Sequence, residues 1–254
     1  MWVLDLDGVV WLANTPLPNS PQAIRVLRDR GEQLRFVTNN SVLTVAKYLN
    51  KFKGMDIEVQ ADELITSSMA AASLLQGGED VYVIGQAGLV EQVQKVATPV
   101  LDSDVLDQPG TRCDAVVVGW DGSFTYAKLR RAMAMIEGGA KFIATNTDAT
   151  YPTPDGLIPG AGSIVAALEC ATRQRAIVAG KPNSPIVELT RRALEGESVM
   201  VGDRYSTDGA FAHALGIPFF LIESDVAEEI PEGAKLPDRH CRSLWDLVMD
   251  TSEG

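Results

Sequence analysis

Short apolar runs recur along the chain. Each is followed by a polar cluster and then by a stretch with helical spacing of its apolar positions. The first run, Trp2-Val3-Leu4 with Leu6, is interrupted by Asp5 and Asp7 and closed by Gly8. Its composition predicts a buried strand of a parallel sheet. Asn19-Ser20-Pro21 then reads as a helix start, with a capping residue and a proline in the first turn. Ala23, Ile24 and Leu27 supply that helix's apolar face, and Gly31 its stop. A second strand over 34–38 ends in Thr38-Asn39-Asn40-Ser41. A helix over 43–52 follows, with Val45, Leu49 and Phe52 as its buried stripe. Residues 64–66 predict a third strand, leading into an alanine-rich helix over 68–75.

The turn-rich segment Gln76-Gly77-Gly78-Glu79-Asp80 breaks this pattern, and the alternation then restarts. Strands are expected over 81–84, 115–118 and 141–145, with helices over 89–96 and 126–136. The loop 146–162 carries Pro152, Pro154, Gly156, Pro159, Gly160 and Gly162, so backbone restriction and permissiveness shape it. Ser163 is the expected cap of a helix over 164–172. A strand over 176–179 ends in Gly180-Lys181-Pro182 and precedes a helix over 184–194. A strand over 198–201 ends in Gly202-Asp203, and a helix near 207–215 follows. A strand over 218–222, a surface loop over 225–238 and a helix over 244–249 complete the chain. Strands alternating with helices of these lengths predict βαβ units and an α/β fold with parallel sheet. The middle of the chain is then a second α/β unit inserted into the first.

Charge and composition narrow the chemistry. With 34 acidic against 22 basic residues, the formal net charge of the 254-residue chain is −12. Such a chain is a poor general partner for nucleic acid or an anionic membrane, so any anion site has to be built locally. Cys113, Cys170 and Cys241 are far apart and form no CxxC pair, which argues against a disulfide framework or a thiolate zinc site. His213 and His240 are the only histidines, too few for most histidine-based metal or triad chemistry. The N-terminus enters a strand at once, without the charged and apolar regions of a signal peptide. No apolar run approaches the roughly 18 residues a membrane span needs. A cytoplasmic enzyme or binding protein is expected.

Four predicted strand ends carry polar residues for which a core strand has no use: Asp5 with Asp7, Thr38 with Asn39, Lys181, and Asp203 with Asp208. Charged groups are rarely buried without a partner, and ligands of open α/β sheets bind at the carboxyl ends of strands. Gly8 can adopt a positive φ and turn the backbone back toward the carboxylates. Taken singly, these segments have plain structural readings: a solvated turn, a helix cap, a turn lysine. Their joint occurrence, each after an apolar strand, points to one site. Carboxylates with a backbone carbonyl suit a hard, oxygen-loving cation such as Mg²⁺. A lysine, a hydroxyl and amide donors suit phosphoryl oxygens. Phosphoryl transfer to an aspartate is the natural chemistry. Gly160-x-Gly162 lacks the third glycine of a dinucleotide fingerprint.

The series Asp5-Leu6-Asp7-Gly8-Val9, Thr38-Asn39-Asn40, Gly180-Lys181-Pro182 and Gly202-Asp203-Arg204 with Thr207-Asp208 resembles the haloacid dehalogenase superfamily of phosphatases. More narrowly it is similar to the NagD-like, 4-nitrophenylphosphatase branch. Val9-Val10 stands where the broader superfamily often has threonine. The resemblance implies a Rossmann-like parallel-sheet core over 1–76 and 177–254, with an inserted smaller α/β cap domain over 77–176. It implies Asp5 as the nucleophile that becomes an aspartyl phosphate, and Asp7 as acid and then base. Mg²⁺ would be held by the Asp5 carboxylate, the Asp7 carbonyl and Asp203, with Asp208 a water-mediated or supporting partner. Thr38, Asn39 and Lys181 would bind the phosphoryl group. Asn40 and Tyr151 would meet the rest of the substrate, a small phosphomonoester; for Tyr151, packing under the loop prolines is the structural alternative. A homodimer through the cap is allowed by resemblance only. Two further readings stay open at this point: a phosphomutase using the same aspartyl phosphate, and a non-catalytic phosphate-binding regulatory protein.

Overall fold

The structure, a computed structural model, describes residues 1–101, 112–153, 156–224, 228, 230, 233 and 235–250. In chain order it begins with β1 (Trp2–Leu4), the hairpin strands β2 (Trp11–Leu12) and β3 (Thr15–Pro16), and α1 (Ser20–Asp29). There follow β4 (Leu34–Thr38), α2 (Val45–Gly54), β5 (Leu64–Thr66), α3 (Ser67–Ala72), β6 (Asp80–Ile84), α4 (Ala87–Gln94), β7 (Thr98–Val100) and β8 (Ala115–Val118). Next come α5 (Tyr126–Glu137), β9 (Lys141–Ala144), β10 (Thr150–Thr153), β11 (Gly156–Pro159), α6 (Ala161–Thr172) and β12 (Ile177–Val178). The chain ends with α7 (Ser184–Ala193), β13 (Val199–Gly202), α8 (Ala210–Leu215), β14 (Phe219–Ile222), β15 (Arg239–Cys241) and α9 (Leu244–Asp250). Among the described residues no helix is long and apolar enough to cross a membrane.

The chain divides into two compact units, one from 1–38, 45–65 and 181–254, the other from 39–44 and 66–180. In the first unit a six-stranded sheet runs in the order β15-β14-β13-β1-β4-β5. Strand β1 pairs in parallel with both β13 and β4, so Leu4 lies between Val201 and Phe36. Trp2, Val3, Leu4 and Leu6 are buried, as expected for a strand covered on both faces. The strand order reverses direction at β1, and such a switch point leaves a crevice beyond the carboxyl ends.

The second unit has its own five-stranded sheet, β12-β9-β8-β6-β7, again with parallel pairing. Tyr82, Val116 and Phe142 from the strands pack with Met135 and Ile136 of α5 and Val165 and Leu168 of α6. Each fully buried side chain of this size contributes about 1.5–3 kcal/mol through removal from water. The protein is thus an α/β fold built on two parallel sheets.

Several local expectations give way to tertiary context. Asn19 does not cap α1 with its side chain; it is left-handed at φ 60°, a conformation asparagine tolerates better than most residues. The neighbouring Ser20 hydroxyl instead donates to the carbonyls of Val10 (2.6 Å) and Leu17 (3.0 Å), tying α1 to the turn after β1. Ser163 lies inside α6, where its hydroxyl donates to the Ala149 carbonyl, and Gly160 occupies the cap position. The proline-rich loop contains the antiparallel hairpin β10–β11; Pro154 lies outside the described residues. The strand expected over 176–179 shortens to β12 and pairs with β9, in the second sheet. The expected surface loop over 225–238 falls partly outside the described residues. Its end is ordered by Asp238, whose carboxylate accepts from the Phe219 amide before β15 begins.

Candidate active site

Beyond the ends of β1 and β13, the Asp5 amide donates to the Val201 carbonyl at 2.9 Å, continuing the ladder one residue past β1. This sets Asp5 beside Asp203, the residue that follows β13. A π-helical turn over Tyr205–Gly209 brings back Asp208. Oxygens of Asp5, Asp203 and Asp208 all lie within 4.8 Å of one another, and all three residues are buried. Lys181 enters this cluster from the segment after β12. Its ammonium donates to Asp5 Oδ1 at 2.5 Å, to Asp208 Oδ1 at 2.6 Å and to the Val37 carbonyl at 3.0 Å. An ammonium has three donors, and these three acceptors match them.

Gly8 shapes the other wall. Its φ is +93°, and a Cβ built there would collide with the Asp203 carboxyl. Both facts require glycine, one for the turn and one for the close approach. Gly8→Ala is therefore expected to displace Asp203 or unwind the turn. The fall in kcat/KM should be about 100-fold or more, the scale on which a misplacement of about 1 Å in a site is felt. Parent-like kcat/KM and metal affinity in that variant would show that the approach of Gly8 to Asp203 is dispensable.

Burial pushes the Asp5 carboxyl well above the usual carboxylate range; Lys181 pulls it back, while the charges of Asp208 and Asp203 push it up again. Burial, reinforced by the Asp208 charge, lifts Asp203 to about 7 against the opposing pull of Arg204 and a hydrogen bond from Ser224. Burial alone would pull Lys181 down, yet the Asp208 and Asp5 carboxylates more than reverse it, so the ammonium stays protonated. The Lys181 ammonium, with Arg204 acting on Asp203, thus faces three carboxylates in a poorly solvated space. Asp203 Oδ1 is buried and has no hydrogen-bond partner among the described residues. Asp208, by contrast, is engaged at both oxygens, by Lys181 and by the Arg204 amide (3.2 Å). A partnerless buried carboxylate oxygen among hard oxygen donors fits a divalent cation at Asp5 and Asp203, with Asp208 steadied from behind.

The other expected site residues fall into two groups. In the first unit, Thr38 is buried at the end of β4. Asp7 Oδ1 accepts from the Trp11 indole N–H at 3.1 Å. In the second unit, the Asn39 carbonyl accepts from Ser67 Oγ (2.6 Å) and Asn146 Nδ2 (2.8 Å), which fixes the backbone just after Thr38. Asn40 Nδ2 donates to the Tyr151 hydroxyl at 3.1 Å. The Tyr151 ring stacks on Trp120, centroids 5.7 Å apart, and the Trp120 indole N–H donates to the Pro159 carbonyl, pinning hairpin β10–β11. Sequence reasoning singled out neither Trp11 nor Trp120. An aromatic beside an apolar run reads as core, and the signal that separates them is the indole N–H, which needs an acceptor when buried.

The fold and site thus define an α/β protein with a buried carboxylate–lysine cluster at the switch point of a parallel sheet. Comparison with known proteins gives the family. Residues 2–98 match the family model of haloacid dehalogenase-like hydrolases, and residues 178–247 match a second, HAD-hydrolase-like model. The 5'-nucleotidase YutF of Bacillus subtilis is 35% identical, the alignment covering 97% of this chain and 96% of that protein. Chloroplastic phosphoglycolate phosphatase 1A of Arabidopsis thaliana is 31% identical over 97% of this chain and 76% of its own. The crystal structure of glycerol phosphate phosphatase Rv1692 from Mycobacterium tuberculosis, in complex with magnesium, superposes with a TM-score of 0.84 at 30% identity, covering 97% of this chain and 75% of that one. The chain belongs to the haloacid dehalogenase-like hydrolases, and its place among them is with the phosphatases.

Proposed function

We propose that this hydrolase is a Mg²⁺-dependent phosphomonoesterase that cleaves small phosphate esters through an aspartyl phosphate on Asp5. Candidate substrates include phosphoglycolate, glycerol phosphate, nucleoside monophosphates and 4-nitrophenyl phosphate. The observation that carries the reading is the buried contact of Lys181 with both Asp5 and Asp208, beside the partnerless Asp203 oxygen.

In this reading an Asp5 oxygen attacks phosphorus, and the ester oxygen leaves with a proton from Asp7. Water then attacks the aspartyl phosphate and gives its proton back to Asp7, freeing inorganic phosphate and the Asp5 carboxylate. Lys181 favours the ionised form of Asp5 against the opposing effect of burial and offsets charge building on the phosphoryl oxygens. Thr38 and Asn39 add donors from the end of β4. Asp5, the Asp7 carbonyl and Asp203 would hold Mg²⁺, with Asp208 orienting the set. When bound, the ion supplies positive charge that offsets repulsion between carboxylate and phosphate.

The first unit is the catalytic core in this proposal, and the second is the cap that chooses the leaving group. Asn40 and the Tyr151–Trp120 pair are the cap's contribution to substrate choice. A cap-mediated homodimer belongs to the same proposal and rests on the resemblance alone. The test is release of inorganic phosphate across a panel of metabolite monoesters, with and without Mg²⁺. Metal-dependent release is expected; isomerisation without release would replace the phosphatase reading with a mutase.

Tyr151→Phe removes the hydroxyl that accepts from Asn40 but keeps the ring on Trp120. KM for the preferred monoester should rise by about 5- to 10-fold, the value of roughly one hydrogen bond, while 4-nitrophenyl phosphate changes little. Equal effects on both substrates would remove Tyr151 from substrate selection.

A further inference from the structure

The turn after β1 closes on itself in a way that the proposed chemistry leaves unused. The Trp11 amide donates to the Leu6 carbonyl at 3.1 Å, and the Gly8 amide donates to the Trp11 carbonyl at 2.8 Å, so Asp7 and Trp11 share a local bridge. The indole is fully buried. Lys51 Nζ sits 4.0 Å above the ring centroid, itself anchored to the Ala13 carbonyl at 2.6 Å. Phe52 packs edge-on against the ring with centroids 4.8 Å apart. Held between these groups, the ring has little freedom, and its N–H meets Asp7 Oδ1 at 3.1 Å.

We infer that Trp11 is a positioning residue for the acid–base carboxyl of Asp7, holding it by Oδ1 and leaving Oδ2 as the favoured oxygen for proton exchange. This rests on the proposed role of Asp7 as acid and base. The argument is one of hydrogen-bond inventory. An indole N–H can only donate, so Oδ1 is the accepting oxygen whether Asp7 is charged or neutral. In a protonated Asp7 the carbonyl oxygen is the stronger acceptor, so this donor at Oδ1 favours the proton on Oδ2. In the first half-reaction the bond from Asp5 to phosphorus forms and the ester P–O bond breaks. The electron pair of that bond goes to the ester oxygen, which takes the Oδ2 proton. In the second half, the oxygen of water bonds to phosphorus and its proton returns to Oδ2. The Asp5–phosphorus bond breaks, and its electron pair stays on the Asp5 carboxylate. Without the indole N–H that bias toward Oδ2 is lost, and the productive arrangement is less populated.

The test uses two probes of nearly equal shape, 4-nitrophenyl phosphate and phenyl phosphate, and reads kcat/KM, which reports steps through transfer to Asp5. Phenolate is the poorer leaving group and depends more on an acid. Trp11→Phe should lower kcat/KM for phenyl phosphate by about 10-fold, a fraction of the roughly 10²–10⁴-fold that general acid catalysis supplies in full, and for 4-nitrophenyl phosphate by less than about 3-fold. Replacing the Trp11 indole by benzothiophene removes the N–H while keeping the fused ring, and should give the same split even if the phenylalanine variant folds poorly. Equal losses on both probes, or none, would overturn the role of Trp11. Asp7→Asn separates this from the reading beneath it. If Asp7→Asn shows a large split and the Trp11 variants do not, only the positioning role falls; if Asp7→Asn shows no split, the acid role of Asp7 falls as well.

Discussion

Asp5→Asn is expected to remove turnover while leaving the metal-free protein at least as stable as the parent. An amide cannot form the acyl phosphate, so kcat should fall by roughly 10⁴-fold or more, the scale of losing an enzyme's nucleophile. Stability runs the other way for an electrostatic reason. Asp5 is one of three buried carboxylates served by one ammonium. Neutralising it lessens repulsion on Asp203 and Asp208, while Lys181 keeps Asp208 and the Val37 carbonyl as acceptors. Removing one member of a buried pair usually destabilises because it leaves an unpaired charge; here the charge left behind still has a partner. Thermal unfolding without metal should thus give a Tm equal to or above that of the parent. Phosphate release would be followed with deamidation excluded by mass spectrometry. Measurable turnover under those conditions would place the nucleophile elsewhere.

The part of the site that is local in sequence was legible as chemistry. Asp5 and Asp7 stand out because carboxylates interrupt an apolar run where a buried strand ends, and Asp203 repeats that signature after β13. The route by which Lys181 arrives was not legible. An apolar run over 176–179 looks the same whichever sheet it joins, since both sheets are parallel and buried. The pairing of β12 with β9 is decided by long-range packing that no local pattern records. Lys181 therefore reaches Asp5 from a segment following the other sheet, and the convergence holds for a different topological reason. The β10–β11 hairpin was hidden by its prolines and glycines. Proline is tolerated on a two-stranded ribbon because both strands are edges. Trp11 was hidden by its own hydrophobicity: periodicity reports the burial of a ring and says nothing of the N–H it carries.

Lys181→Met should be the most destabilising substitution at the site, and the one whose damage a metal ion best repairs. The ammonium is almost wholly buried, with 2% of its side chain exposed, so solvent screens its ion pairs little. Breaking such a pair leaves uncompensated buried charge and costs about 3–5 kcal/mol. The metal-free variant should therefore unfold well below the parent. The deficit should depend on pH in a defined sense. Asp203, already pushed up to about 7 in the folded protein, binds a proton there that it gives up in the unfolded chain. Stability lost through its charge thus appears as pH rises from about 4 toward 7, and removing Lys181 enlarges that loss. At pH 5 the Tm gap between variant and parent should be smaller than at pH 8. In the proposed site Mg²⁺ and the ammonium would be alternative countercharges for the same carboxylates, so each would weaken the hold of the other. Saturating Mg²⁺, worth about 2.7 kcal/mol at 100 times its Kd, should raise Tm more in the variant than in the parent. Activity would not recover with stability, because nothing replaces the positive charge of the ammonium beside Asp5, and kcat/KM should stay roughly 100- to 1,000-fold low. A variant matching the parent in metal-free Tm at both pH values would show that the carboxylates do not depend on Lys181. A variant regaining full activity with Mg²⁺ would show that the lysine serves the fold and takes no part in the transfer.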